Sequence, residues 1–332
     1  MNKSFSSHHR KSDHFNGKRF FNPTHQKDHT LSELMRFLIS YRPKPWPKEV
    51  INEKDLNLHQ NLSDNEVAIT FVNHATLLIQ VNGANILTDP VWSERASPLS
   101  FAGPKRARQP GIEINDLPKI DFVLVSHNHY DHMDLATLKL LNERFSPTFL
   151  VALGDRKKLE KLGAKHVVEM DWWQKFEVSS ELEFIFTPTQ HFSGRTPFTF
   201  SKSLWGAFVI KSKGHQIYFG GDAAYSTQFT ETSNRLGQMD LSLIPIGAYE
   251  PRWFMKSVHM NPEEAVQAHL DLKSKRSIGI HFGTFQLTEE KIDQPVIDLQ
   301  IAMTSRGLNN DDFNTLKEGQ TEKFVFGFSS CC

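Results

Sequence analysis

Cysteine is almost missing from this 332-residue chain: there are two, Cys331 and Cys332, the last two residues. No disulfide framework and no cysteine-built metal site can therefore form within its body. The pair reads as a frayed tail, with lipidation as the functional alternative. Equally absent is any run of roughly 18–20 apolar residues, the length a membrane-spanning helix requires. The first residues also lack the apolar stretch of a secretory signal. These absences predict a cytoplasmic protein whose membrane association, if any, is peripheral. Net charge is missing too, since 38 basic side chains face 38 acidic ones. A balanced chain has no whole-molecule field with which to recruit nucleic acid, so no nucleic-acid partner is expected.

What is present divides unevenly. Residues 1–29 are polar and carry His8, His9, His14, His25 and His29 with a net charge of +4; they predict a disordered basic arm. Residues 30–60 predict a helix and a linker. Thr30 and Glu33 have the spacing of a capping box, and Leu31, Leu34, Met35, Leu38 and Ile39 recur at helical period before Pro43 and Pro45 end the pattern. Residues 61–325 predict one folded domain, and 326–332 a tail. Within the domain, β-rich runs come first and mixed helix and strand follow, which predicts an α/β fold of sheets covered by helices.

The densest chemistry lies at Ser126-His127-Asn128-His129-Tyr130-Asp131-His132, directly after the apolar run Phe122–Val125. Imidazole and carboxylate are ligands that borderline first-row cations prefer. Three further apolar runs stop at a metal-capable side chain: Phe184–Phe186 before His191, Ile217–Gly221 before Asp222, and Ile278–Ile280 before His281. Strand ends hold such groups rigidly while the loops stay open to substrate. Seven donors suit two cations. The predicted division is His127, His129 and His191 on the first, Asp131, His132 and His281 on the second, and Asp222 between them. Two cations sharing a water lower its pKa towards about 7 and give a bridging hydroxide as nucleophile. Asp89 and His74 are candidates to orient the imidazoles.

At these residues the chain resembles the metallo-β-lactamase superfamily, whose signature is H-x-H-x-D-H followed by distal His, Asp and His. Within it, Leu87–Pro90, Arg95–Pro98, Gly103–Arg106, Asp171–Trp173, Ile244–Met255 and His281–Phe285 resemble the phospholipases D that hydrolyse N-acylphosphatidylethanolamine. The resemblance spans roughly residues 40–320. It departs at Asn73, where family members carry a glycine before the His-Ala-Thr of His74–Thr76, and at Val258, where mammalian members have a polar amide.

The resemblance implies a four-layer αβ/βα sandwich and two Zn²⁺, with iron or manganese as chemical alternatives. It implies a phospholipid substrate cleaved to phosphatidic acid and an N-acylethanolamine, with Asp131, Asp222 and His259 in catalysis. His259 is the candidate acid for the leaving alcohol. Trp92, Phe101, Tyr249, Arg252, Trp253 and Phe254 are the candidate substrate-binding residues. A homodimer fits the resemblance, and the Leu31–Ile39 helix offers peripheral bilayer contact. The competing expectations are lactone hydrolysis on the same fold and a metal- or lipid-binding module without turnover.

Overall fold

The computed structural model describes residues 12–24, 30–53, 62–63 and 65–326. The rest of the expected arm, with His8, His9, His25 and His29, lies outside the described residues. So do residues 54–61 of the linker and the tail with Cys331 and Cys332.

Helix α1 (Leu31–Ser40) starts at the Thr30–Glu33 capping box. The chain then alternates apolar runs with tight turns: β1 (Glu66–Asn73), β2 (Thr76–Val81), β3 (Ala84–Thr88), β4 (Phe122–Val125), α2 (Leu135–Phe145), β5 (Thr148–Ala152), α3 (Arg156–Glu160) and β6 (Val167–Met170). These strands and β14 (Thr321–Val325) form one seven-stranded sheet, ordered β14-β1-β2-β3-β4-β5-β6. The second half supplies β7 (Lys175–Ser179), β8 (Leu182–Thr187), β9 (Ala207–Ser212), β10 (His215–Phe219), α4 (Gln228–Leu236), β11 (Leu241–Pro245), α5 (Arg252–Met255), α6 (Pro262–Asp271), β12 (Arg276–Ile280), α7 (Gln294–Ser305) and β13 (Phe313–Thr315). Its sheet runs β13-β12-β11-β10-β9-β8-β7.

Strand alternation explains the layering. Leu77, Ile79 and Leu124 face Phe184, Phe186, Phe208, Ile217 and Leu243 in a core between the sheets. Their neighbours Leu78, Val123 and Val125 turn the other way and pack under α2 and α3 with Leu138, Leu141 and Leu159. On the far sheet, Val209, Tyr218 and Ile244 meet Ala265, Val266, Leu299 and Met303 of α6 and α7. Strands buried on both faces need apolar residues in series, which is why these segments read as unbroken hydrophobic runs. The result is the expected four-layer αβ/βα sandwich. Among the described residues no helix is long and apolar enough to cross a membrane.

One expectation is corrected. Residues 12–24 fall within the arm expected to be disordered, yet they pack against the body. Phe15 and Phe20 are buried in the inter-sheet core, pair as an isolated antiparallel bridge and meet at a tilt with centroids 4.6 Å apart. His14 lies 4.5 Å from the Trp172 ring and hydrogen-bonds Asp171 at 2.8 Å. Three buried rings in so short a stretch outweigh its polar composition.

Candidate metal centre

Parallel pairing sets the edge at which the candidate donors meet. Strands β3, β4 and β5 run parallel, as do β10, β11 and β12. The donors follow their C-terminal ends: Asp89 after β3, His127–His132 after β4, Asp222 after β10 and His281 after β12. His191 follows β8, and His74 lies in the turn between β1 and β2. Several backbones there take left-handed conformations that non-glycine residues rarely adopt: His74 (φ +48°), Asp89 (+31°) and His281 (+61°). Each such residue costs of order 1 kcal/mol or more, and such strain persists where surrounding contacts over-determine it. Gly221 (φ +55°) is held by space as well, because a Cβ there would lie 2.5 Å from Ser126 Cβ.

The side chains converge in two groups. One donor atom from each of His127, His129, His191 and Asp222 falls within a 4.8 Å spread, and so does one from each of His74, Asp131, His132 and His281. In the first group, His129 Nδ1 is 2.8 Å from His127 Nε2 and 3.4 Å from His191 Nε2. In the second, Asp131 Oδ2 is 3.4 Å from His132 Nε2, 3.5 Å from His281 Nε2 and 3.0 Å from His74 Nε2. Asp222 faces both groups: Oδ2 lies 3.6 Å from His191 Nε2 and 3.2 Å from His132 Nε2, while Oδ1 lies 3.0 Å from His281 Nε2. Among the described residues, His132 Nε2, His281 Nε2 and Asp222 Oδ1 are buried without a well-formed hydrogen bond. Buried polar atoms are rarely left so, and a shared cation is what such a donor set fits.

The far sides of three rings, those of His127, His132 and His191, are occupied, which fixes the nitrogen that faces inward. His132 Nδ1 donates to Asp89 Oδ2 at 2.6 Å, and His191 Nδ1 donates to the Val258 carbonyl at 2.8 Å. His127 Nδ1 lies 2.9 Å from Ser126 Oγ. Asp89 also accepts from the Ser126 amide (2.7 Å) and hydroxyl (2.6 Å). Ser126 was not among the sequence candidates, although it stands next to His127 and joins the two groups.

Electrostatics sets His132 and His281 apart from the other imidazoles, including His74 of the second group, which burial lowers to about 3. Burial, and after it the neighbouring imidazoles, lowers His127 well below the usual histidine value and His129 to about 3. Burial also opposes charge on His132 and His281. There the carboxylates prevail, Asp222 foremost, raising His132 well above its usual value and His281 to about 9. Against burial, His132 holds both Asp131 and Asp222 well below the carboxylate range.

Residues 84–282 match the beta-lactamase superfamily domain. The chain belongs to the metallo-β-lactamase superfamily. It is 35% identical over 332 residues to the N-acyl-phosphatidylethanolamine-hydrolyzing phospholipase D 1 of Caenorhabditis elegans, covering 92% of each chain, and shares that enzyme's family. It is also 40% identical over 235 residues to an uncharacterized protein of Mycobacterium bovis, covering 69% of this chain and 62% of the relative. The chain thus spans less than two thirds of that longer protein. Among solved structures, Igni18, a metallo hydrolase from the archaeon Ignicoccus hospitalis, superposes with a TM-score of 0.59 at 20% identity, covering 79% of this chain and all of that one.

In this superfamily member the other sequence candidates lie as follows. His259 Nδ1 is 4.0 Å from Asp222 Oδ2 and has no hydrogen-bond partner among the described residues. Burial lowers its pKa well below the usual value despite Asp222. Arg252 donates to the His259 carbonyl at 2.9 Å and to Glu264 at 2.7 Å, so it secures the His259 loop instead of offering a free cation. The Tyr249 hydroxyl is taken by Asp298. Trp92 turns its indole N–H to the Ile112 carbonyl and packs beside the α2 core. Phe101 is exposed. Phe254 stacks on Phe37 with centroids 4.3 Å apart, and Arg36 lies over the Trp253 ring at 4.4 Å, so α1 rests on α5.

Proposed function

We propose that this protein is a dinuclear metal-dependent phospholipase D acting on N-acylated ethanolamine phospholipids. The observation that carries the reading is the convergence of seven inward-facing donors, with Asp222 reaching both groups, in a chain whose family includes the nematode phospholipase D. His127, His129 and His191 would hold one cation, Asp131, His132 and His281 the other, with Asp222 shared. The donor set favours zinc, with iron or manganese as alternatives. A bound cation pair supplies Lewis acidity towards phosphoryl oxygens and lowers the pKa of water.

The chain's own groups do the rest. Asp89 and Ser126 keep the ring nitrogens turned inward, and Asp131 and Asp222 compensate charge on the buried imidazoles. Water adds to phosphorus and the bond to the head-group alcohol breaks, leaving phosphatidic acid. The departing alcohol takes a proton and leaves as the N-acylethanolamine. We assign His259 the relay of that proton. Its ring is neutral in the bare cluster, so it would first take up the proton that the attacking water gives up and then pass it to the departing oxygen.

Leu34, Met35, Leu38 and Ile39 expose an apolar face on α1 beside Trp253, itself 41% exposed. This face would rest on the bilayer that holds the substrate, without spanning it. Purified protein should release N-acylethanolamine and phosphatidic acid from vesicles of the acylated lipid, identified by mass, and lose this activity with chelation. Turnover of lactones without phospholipid cleavage would overturn the assignment. Leu38→Asp should weaken vesicle flotation while sparing hydrolysis of detergent-dispersed lipid.

A further inference from the structure

The packed segment 12–24 reaches one of the candidate donors. Asn22 Nδ2 donates to the backbone carbonyl of His191 at 2.8 Å, across 169 residues of sequence, and Trp205 Nε1 donates to Asn22 Oδ1 at 3.3 Å. That N–H is shared with the Thr189 carbonyl, 3.0 Å away, so the His191 carbonyl itself sets the amide orientation that presents Nδ2. The segment is anchored on both sides of that contact. On one, Phe15 and Phe20 enter the inter-sheet core, and the Phe20 amide donates to the Ser201 carbonyl at 2.8 Å. On the other, Thr24 Oγ1 reaches Gln190 Oε1 at 3.5 Å.

His191 needs such help. It follows β8 by several residues, whereas His127 comes two residues after β4 and His281 directly after β12. Its ring is fixed by Val258, and the neighbouring Gln190 carbonyl accepts from the Ala224 amide at 2.7 Å. The His191 carbonyl is secured by Asn22.

We infer that residues 12–24 form a strap in which Asn22 is a positioning residue for His191, so that the first cation site is completed by the start of the chain. The inference rests on the reading of His191 as a metal ligand. Groups that orient a ligand are worth roughly 10–100-fold in metal affinity. Asn22 acts on the backbone and not on the ring, so the lower end is expected.

The test uses the full chain and the isosteric Asn22→Asp, which keeps the size of the side chain and loses the N–H donor. Zinc retained per chain is followed through a timed chelator challenge, and the visible absorption of the cobalt-loaded protein is recorded. The wild type should retain about two ions. Asn22→Asp should lose one of them about tenfold faster and shift the cobalt bands, with little change in Tm. Asn22→Gln, which retains an amide donor, should recover part of the difference. Lys18→Ala, on the exposed bend of the same strap, should match the wild type. Asn22→Ala gives the same readout should the aspartate variant misfold. Equal ion retention and equal cobalt spectra for Asn22→Asp and wild type would overturn the strap's role alone. A wild type that binds no metal would overturn it together with the metal-centre reading.

Discussion

The two groups of donors use the same kind of ring and differ in what supports it. His132 leans on Asp89, a carboxylate with no exposed surface, and Asp131 is bonded in turn by His74. His127 and His191 lean on a serine hydroxyl and a backbone carbonyl, and the His191 backbone is reached by an amide 169 residues away in sequence. One side is braced by buried charge supplied from adjacent strand ends. The other is braced by neutral groups, one of them remote. Damage to the first kind of support should therefore be severe and local, and damage to the second mild and graded.

The strongest perturbation removes the group common to both sides. Asp222→Asn should reduce phospholipid hydrolysis by on the order of 10³-fold or more, with circular dichroism close to wild type. Near-normal turnover with metal retained would break the comparison outright. Next is Asp89→Asn, which deprives His132 and Ser126 of their shared carboxylate. Removing one member of a buried charged pair costs roughly 3–5 kcal/mol, so a large fall in Tm is expected. Ion content should fall by about one per chain, from the side that holds His132. Equal loss from both sides would show that the two are not separately braced.

Gly221→Ala is smaller. It combines a left-handed backbone with a Cβ 2.5 Å from Ser126 Cβ and should cost about 1–3 kcal/mol, readable in denaturant midpoints. No change there would mean that Ser126 can move without cost to Asp89.

The weakest effect concerns pH. Burial opposes charge on His14, but the hydrogen bonds to Asp171 and Asp13 prevail and raise its pKa above 6.5. A raised folded-state pKa stabilises fully below the unfolded value near 6.5, and the benefit disappears as pH rises through the folded value. The stability gap between wild type and His14→Gln should therefore be widest below pH 6.5 and close at higher pH. Because Asp13 is largely exposed, the gap should stay under about 1 kcal/mol. A gap that widens with rising pH would contradict the assignment of His14 as the charged anchor.

Much of this was legible in the sequence, for definable reasons. The doubly buried strands announce themselves as apolar runs, and the candidate donors stand at the ends of those runs, so the sheets and the cluster could be read together. Strand β7 carries no such signal, because Lys175–Ser179 is a mostly exposed edge strand. Helix α4 carries none because Gln228–Leu236 is almost wholly polar, and β14 none because Phe324 is its only buried residue. The strap was misread for a different reason. His14 meets its partner Asp171 across 157 residues, and no local pattern encodes such a contact. The aromatic candidates for lipid binding were equally opaque, since an exposed Phe101 and an inward Trp92 look alike in sequence.

The proposed function has seven side chains bringing two cations together to cleave a phosphodiester. It is tested most directly by elemental analysis of the purified protein, paired with hydrolysis of N-acylphosphatidylethanolamine vesicles before and after chelation. About two transition-metal ions per chain are predicted, with product formation lost on their removal and restored when they return. Undiminished phospholipid cleavage by metal-free protein would contradict the account.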